Sequence, residues 1–126
     1  MKTIIKTDNA PAPIGPYNQA VLAGNTLYVS GQIALNPSNG ELVLNSLKEE
    51  TTQVMENLKA VLTATGMTFE NVVKSTIFLS DMNHFTEINK VYAQYFDEEN
   101  APARETVAVS GLPKSVNIEI SMIAVK

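Results

Sequence analysis

The apolar period changes along this chain, and that constrains its fold more than any other feature. From Ser46 to Gly66 apolar residues recur at helical spacing, with Leu47, Val54, Leu58, Val61 and Leu62 on one face. Ser46 and Glu49 stand three apart, as in a capping box, and Gly66 suits the left-handed residue that closes a helix. A second stripe runs through Phe85, Ile88, Val91, Tyr92, Tyr95 and Phe96, with Asp81 or Asn83 as its cap and Pro102 beyond its end. Around these stripes lie β-rich or extended runs: Thr3 to Lys6, Tyr17 to Leu22, Thr26 to Ile33, Val72 to Leu79, Thr106 to Val109 and Val116 to Val125. In the last of these, Val116, Ile118, Ile120 and Met122 alternate with Asn117, Glu119 and Ser121.

Each helix carries one apolar stripe, so both are expected on the same face of one sheet. The expected fold class is α+β, a single domain over residues 1–126 with no repeat, linker or low-complexity run. Asn9 to Pro16 holds three prolines and a glycine and must be a loop; Gly24-Asn25, Pro37 to Gly40 and Gly111 to Pro113 are turns. The second sheet face would carry Ser30, Glu119 and Ser121 beside apolar Ile123. Such a face meets either solvent or another subunit, and patterning leaves both open.

Composition removes several chemistries. There is no cysteine, so no thiolate nucleophile, disulfide or Cys-based zinc site, which fits a cytoplasmic protein. The N-terminus lacks a signal-peptide pattern, and no run approaches the roughly 18 to 20 apolar residues of a membrane helix. The net charge is −4 and there is no basic run, which argues against nucleic-acid binding. The one histidine, His84, sits at the expected start of the second helix and reads as a surface residue near a cap. No His-based metal site, Ser-His pair or phosphate-binding glycine loop is present in the pattern.

What remains is a short set of candidates. Arg104 follows Pro102-Ala103, which stiffens the backbone and could aim the guanidinium at a carboxylate. Glu119, on the more polar side of the last strand, could activate a water as general base; the plainer reading is a solvated glutamate on an exposed face. Tyr17 follows a Gly-Pro turn and could contact a ligand or simply pack. Ser30-Gly31 could present backbone groups closely, or mark a bulge.

Taken together and in order, these segments resemble the Rid family of imine and enamine deaminases, also called the YjgF family. The resemblance is carried by Asn9-Ala-Pro, Ile14-Gly-Pro-Tyr17, Ser30-Gly-Gln-Ile33, Glu56-Asn-Leu-Lys59, Ala64-Thr-Gly66, Asn89-Lys-Val-Tyr92, Tyr95-Phe96, Pro102-Ala-Arg104, Leu112-Pro-Lys114 and Ile118-Glu-Ile120. It implies a chorismate-mutase-like fold and a homotrimer with clefts between subunits. It implies hydrolysis of 2-aminoacrylate and 2-aminocrotonate, through their 2-imino tautomers, to 2-keto acids and ammonia, with no metal or organic cofactor. Carried over by residue, Arg104 would clamp the substrate carboxylate and Glu119 would polarise the water. Tyr17, Ser30, Gly31 and Asn89 would shape the pocket, and the backbone at Thr106 would meet the imine nitrogen.

The chain departs from the family pattern in two segments. Glu105-Thr106 stands where many members have Ser-Cys, and Ser110-Gly111 where Ala-Arg is common. Strand alternation turns Glu105 away from Arg104 and Thr106. Three functional classes follow: the deaminase; a non-catalytic trimer that senses small carboxylates and needs Arg104 but no water-activating acid; and the RNA-cleaving or translation-inhibiting activity attached to parts of the family, which the acidic charge opposes.

Overall fold

The computed structural model describes all residues, 1–126, as six strands and two α-helices joined by loops and short 3-10 turns. Strands β1 (Lys2–Ile5), β2 (Ala20–Ala23) and β3 (Thr26–Gln32) form an antiparallel meander. Helix α1 (Leu47–Ala64) then leads to β4 (Val72–Leu79), and α2 (Phe85–Tyr92) leads to β5 (Ala103–Ala108). The chain ends in β6 (Ile118–Val125). The six strands make one sheet in the order β1-β2-β3-β6-β4-β5. Only β4 and β5 pair in parallel, which requires a crossover connection, and α2 supplies it. β6 inserts between β3 and β4 and pairs antiparallel with both.

Both helices cover the same face, as their single stripes require. Val54, Leu58, Val61 and Leu62 of α1, with Ile88 and Tyr92 of α2, meet Leu27, Ile77, Leu79, Ile118 and Ile120 from the sheet in one buried core. Helix α1 closes with a Schellman arrangement. Gly66 takes φ +73°, its N–H donates to the Thr63 carbonyl, and the Met67 N–H donates to Leu62, each at 3.0 Å. At its start Ser46 Oγ accepts the Glu49 N–H at 3.1 Å, one arm of the expected box. A box with both arms closed stands instead at Thr68 and Asn71, before β4.

Several boundaries differ from the sequence expectation. β5 begins at Ala103, so Arg104 lies inside the strand rather than before it. The Ala-Arg-Glu-Thr start of β5 has no apolar alternation because this is an edge strand, paired on one side only. β6 starts at Ile118, two residues late. Pro113–Ser115 forms a turn in which Lys114 and Ser115 hold φ +54° and +57°, and the Val116 N–H bonds back to Pro113. β2 starts at Ala20 because the residues before it stay with the N-terminal loop. The second helix is split, with 3-10 turns at Met82–His84 and Ala93–Tyr95 flanking α2. Asp81 caps the first of these through the Asn83 N–H at 2.9 Å. His84 makes no cap hydrogen bond, and its Nδ1 is buried without a partner.

The sheet's other face has no helix. It carries Tyr28, Phe78 and Ile123 with Lys74, Thr76, Glu119 and Ser121, by strand alternation and register. Tyr28 is 50% exposed and Val107 44%. Glu105 lies on this face and pairs with Lys74 at 2.9 Å, turned away from Arg104 as alternation requires. No helix is long and apolar enough to cross a membrane.

Candidate active site

Arg104 sits on the helix-covered side of edge strand β5, beside Ser75 in the parallel register. Its Nη1 donates to Asn89 Oδ1 of α2 at 2.7 Å. The guanidinium carbon lies 5.0 Å from the centroid of the Tyr92 ring and 5.5 Å from that of Phe85. Two aromatic faces and one amide oxygen therefore hold the guanidinium plane. Tyr92 is anchored in turn, its hydroxyl donating to buried Ser75 Oγ at 2.9 Å. Burial pushes the Tyr92 hydroxyl above its usual pKa, against smaller opposite effects of the Ser75 bond and the Arg104 charge. The only ion pair in the chain is Lys74–Glu105, so Arg104 meets no carboxylate. Arg104 lines a depression of about 640 Å³ whose walls are Tyr92, Ala93, Phe96, Ala101 and Pro102, with the acidic Glu98 among them. The volume admits a molecule the size of a small carboxylic acid.

Glu119 occupies a second depression. Between Val29 and Gln32 strand β3 bulges, placing Ser30 and Gly31 opposite one residue of β6. Gly31 is the point of closest approach: a Cβ there would lie 2.6 Å from Glu119 Oε2 and 2.8 Å from its Cδ. The carboxylate thus lies against bare backbone. Burial raises its pKa above the ordinary carboxylate value. Tyr17, Ile14, Pro11 and Lys114 complete a cavity of about 110 Å³ around it, large enough to hold water.

The loop carrying Tyr17 is tied down by buried Gln19. Its Oε1 accepts the Thr7 N–H at 2.8 Å, and its Nε2 donates to the carbonyls of Thr7, Ala10 and Pro11. Ser30 serves the same loop. Its hydroxyl donates to the Asn18 carbonyl at 2.6 Å and its N–H to Gln19 at 2.9 Å.

The seven candidate residues therefore fall into groups. Arg104 and Asn89 come together; Tyr17, Gly31 and Glu119 come together. Glu119 is in register with Phe78, and Arg104 with Ser75 three residues back along β4. An odd offset along a strand means opposite faces, so one chain keeps Arg104 and Glu119 on the two sides of its sheet. Ser30 and Thr106 line neither depression. Thr106 faces the same side as Arg104, with Oγ1 buried and unpartnered. No cluster of three or more His, Asp or Glu side chains gathers as metal ligands.

The family model described as Endoribonuclease L-PSP matches residues 7–126. A RutC family protein of Pyrococcus horikoshii is 53% identical, over 100% of this chain and 99% of its own length. The chain belongs to the YjgF/Rid family. A Rid-family human relative named 2-iminobutanoate/2-iminopropanoate deaminase is 45% identical across 100% of this chain and 91% of its own. The fold is equally close to a solved relative. The crystal structure of YyfA from Yersinia pestis, of the conserved Rid protein family, superposes with a TM-score of 0.96 at 46% identity, covering 100% of both chains. The architecture is thus that of the Rid family throughout.

Three polar residues that tie loops and strand ends into the fold near Glu119 are not singled out by the sequence: Gln19, Glu50 and Asn117. Glu50 does leave a signal, since it sits three residues after Leu47 and four before Val54, inside the apolar stripe of α1. A charge at a core position needs partners. Asn117 and Gln19 leave none, because a polar residue beside a strand start reads as solvated.

Proposed function

We propose that this chain is a 2-imino acid deaminase, acting on 2-iminobutanoate and 2-iminopropanoate at sites shared between copies in a homotrimer. The observation that carries this reading is the placement of the anion-binding half and the base-bearing half on opposite sheet faces. A carboxylate clamp and a water-activating acid serve one reaction only if a second copy brings its Glu119 half to the first copy's Arg104 half. The uncovered face sets Tyr28, Phe78, Val107 and Ile123 among polar residues, a mixed surface of the kind subunits bury. The names of mammalian relatives supply the substrate class.

In this mechanism Arg104 takes the substrate carboxylate with two parallel hydrogen bonds and fixes C2 in place. The imine nitrogen is protonated, which makes C2 strongly electrophilic. Glu119, ionised, accepts a proton from water as the oxygen bonds to C2 and the C=N π pair moves to nitrogen. The product is a carbinolamine. Glu119 returns that proton to nitrogen and, ionised again, takes the hydroxyl proton as C=O forms and the C–N bond breaks, its electron pair leaving with ammonia. The Thr106 backbone, beside Arg104 on the edge strand, contacts the nitrogen. Tyr17 and Gly31 bound the water's side of the cleft. A raised pKa suits Glu119 as a base working nearer neutral pH than an ordinary carboxylate. RNA binding is disfavoured: the chain carries a net charge of −4, and phosphate recognition rests on clustered cations.

The test generates the imine in place with a threonine dehydratase and follows keto acid against semicarbazide trapping. The wild type accelerates keto-acid formation, while Arg104→Ala and Glu119→Gln do not. Mixing the two inactive variants and allowing subunit exchange restores roughly a quarter of the sites, because some clefts then pair an intact Arg104 with an intact Glu119. No recovery after proven exchange places both groups in one chain's site and overturns the shared cleft. No acceleration by a folded wild-type trimer points to a carboxylate-sensing role instead.

A further inference from the structure

Glu50 is wholly buried, yet it meets no cation. Its two carboxylate oxygens converge on one residue. Oε2 accepts the Asn117 N–H and Oε1 accepts from Asn117 Nδ2, each at 2.8 Å. Asn117 is held from its other side by β4's end. The Ser80 N–H donates to the Asn117 carbonyl at 3.0 Å, and Ser80 Oγ lies 3.4 Å from Asn117 Oδ1. Every polar group of Asn117 is thus committed. The charge of Glu50 is placed in the first turn of α1, where free N–H groups and the helix dipole favour an anion. Asn117 stands two residues before Glu119, just after the strained Lys114-Ser115 turn with its two left-handed residues. The entry to β6 is fixed on its β4 side by the Ser80 N–H and by buried Val116 and Ile118, and on its α1 side by Glu50.

We propose that Glu50 is a positioning residue for Glu119: through its two-point grip on Asn117 it sets where β6 begins and so holds the Glu119 carboxylate against Gly31. The inference rests on the deaminase reading for its catalytic meaning, but the geometric link stands apart from it. A buried carboxylate gripping one backbone N–H and one amide is a directional device, because both bonds are charge-assisted and neither partner can turn to solvent. An apolar residue at position 50 would fill the core without defining the entry to β6.

A polarity swap tests it. Glu50→Gln sets an amide donor against the Asn117 donors; Asn117→Asp sets two carboxylates together. The double variant restores complementarity. The oxygen of the amide introduced at position 50 accepts the backbone N–H of residue 117, and its nitrogen donates to the carboxylate introduced at position 117. Turnover of in-place 2-iminobutanoate and equilibrium binding of 2-oxobutanoate are measured for all four proteins. The single variants are expected to lose roughly ten- to a hundredfold in kcat with 2-oxobutanoate affinity held within a few-fold, and the double to recover most of the loss. Singles that lose only thermal stability, with turnover per folded trimer unchanged, reduce Glu50 to a structural residue and overturn the inference.

A readout independent of activity separates the two readings. The carboxyl resonance of Glu119, followed by carbon-13 NMR against pH, moves in each single variant and returns in the double. A wild type inactive on imines but showing this pattern sinks the deaminase reading and keeps the positioning link. Unchanged Glu119 titration sinks the link whatever the activity. Should Glu50→Gln fail to fold, Asn117→Ala, which keeps the backbone N–H on Glu50, is read the same way.

Discussion

Gly31 and Glu119 lie so close that the glycine's missing side chain is where the carboxylate sits. A methyl group on Gly31 would fall 2.6 Å from Glu119 Oε2. Gly31 does not hold a left-handed backbone, so alanine is sterically allowed there except for this contact. Gly31→Ala is therefore expected to keep the fold and the unfolding midpoint, because the end of a side chain yields more cheaply than backbone. Displacing the proposed base should cost roughly ten- to a hundredfold in kcat. Steady-state turnover with in-place imine checks this; wild-type kcat in Gly31→Ala removes Glu119 from the reacting centre.

Burial raises the Glu119 pKa from 4.5, and the consequence has opposite signs for activity and stability. As the proposed base Glu119 must be ionised, so kcat/KM is expected to fall as pH drops through the folded pKa, on a limb above that of a free glutamate. In the window between 4.5 and the folded pKa, the folded chain holds a proton that the unfolded chain has released. Stability therefore declines as pH rises through that window and stays reduced above it. Glu119→Gln should be inactive yet melt higher than the wild type at neutral pH, with the difference gone at about pH 3. Thermal melts of both proteins across pH read this directly. A variant that melts lower at neutral pH would mean the carboxylate is stabilised in the fold, not desolvated.

Asn89 presents its amide oxygen to Arg104 at 2.7 Å. Removing it frees the guanidinium to swing on its stem. Replacing it with a carboxylate sets a negative charge against Arg104, where the proposed substrate carboxylate would bind. Asn89→Ala is expected to weaken 2-oxobutanoate binding by roughly tenfold or less, and Asn89→Asp by more than that, since the new charge competes with the ligand. Calorimetric titration ranks the two. The reverse order would mean that Asn89 touches the ligand itself and that Arg104 does not bind the carboxylate.

Much of this fold is legible in the chain because period and punctuation agree. The stripe of α1, Gly66 as its closing residue and the alternation of β6 each follow from local rules, and the structure keeps them. The edge strand β5 starts three residues before its β-rich run, because a strand paired on one side and exposed on much of its surface needs no apolar alternation. The split of the second helix into three segments has no signal, since the stripe runs on through all of them. For the site, residue types point to Arg104 and Glu119, but their separation onto two faces depends on register. Register between β4, β5 and β6 is a long-range property, set by core packing and not written in any one segment. Glu50 stands out as an acid inside an apolar stripe, although its partner Asn117, 67 residues away, does not.

Tyr92 joins the core to Arg104, and its two ends can be tested apart. Its hydroxyl donates to Ser75 Oγ at 2.9 Å, and Ser75 is wholly buried. Its ring lies beneath the Arg104 guanidinium. Tyr92→Phe keeps the ring and strands the Ser75 hydroxyl in the core, at a cost of about 1–3 kcal/mol. Binding of 2-oxobutanoate should stay within about twofold, because the cation still faces an aromatic ring. Adding Ser75→Ala removes the stranded group, so the double variant should regain part of the loss. Urea unfolding at one fixed protein concentration measures all three, since an assembling protein's midpoint shifts with concentration. Strictly additive losses in the double variant would mean that the two hydroxyls do not bond in solution. A large loss of binding in Tyr92→Phe would place the hydroxyl in the anion site rather than under it.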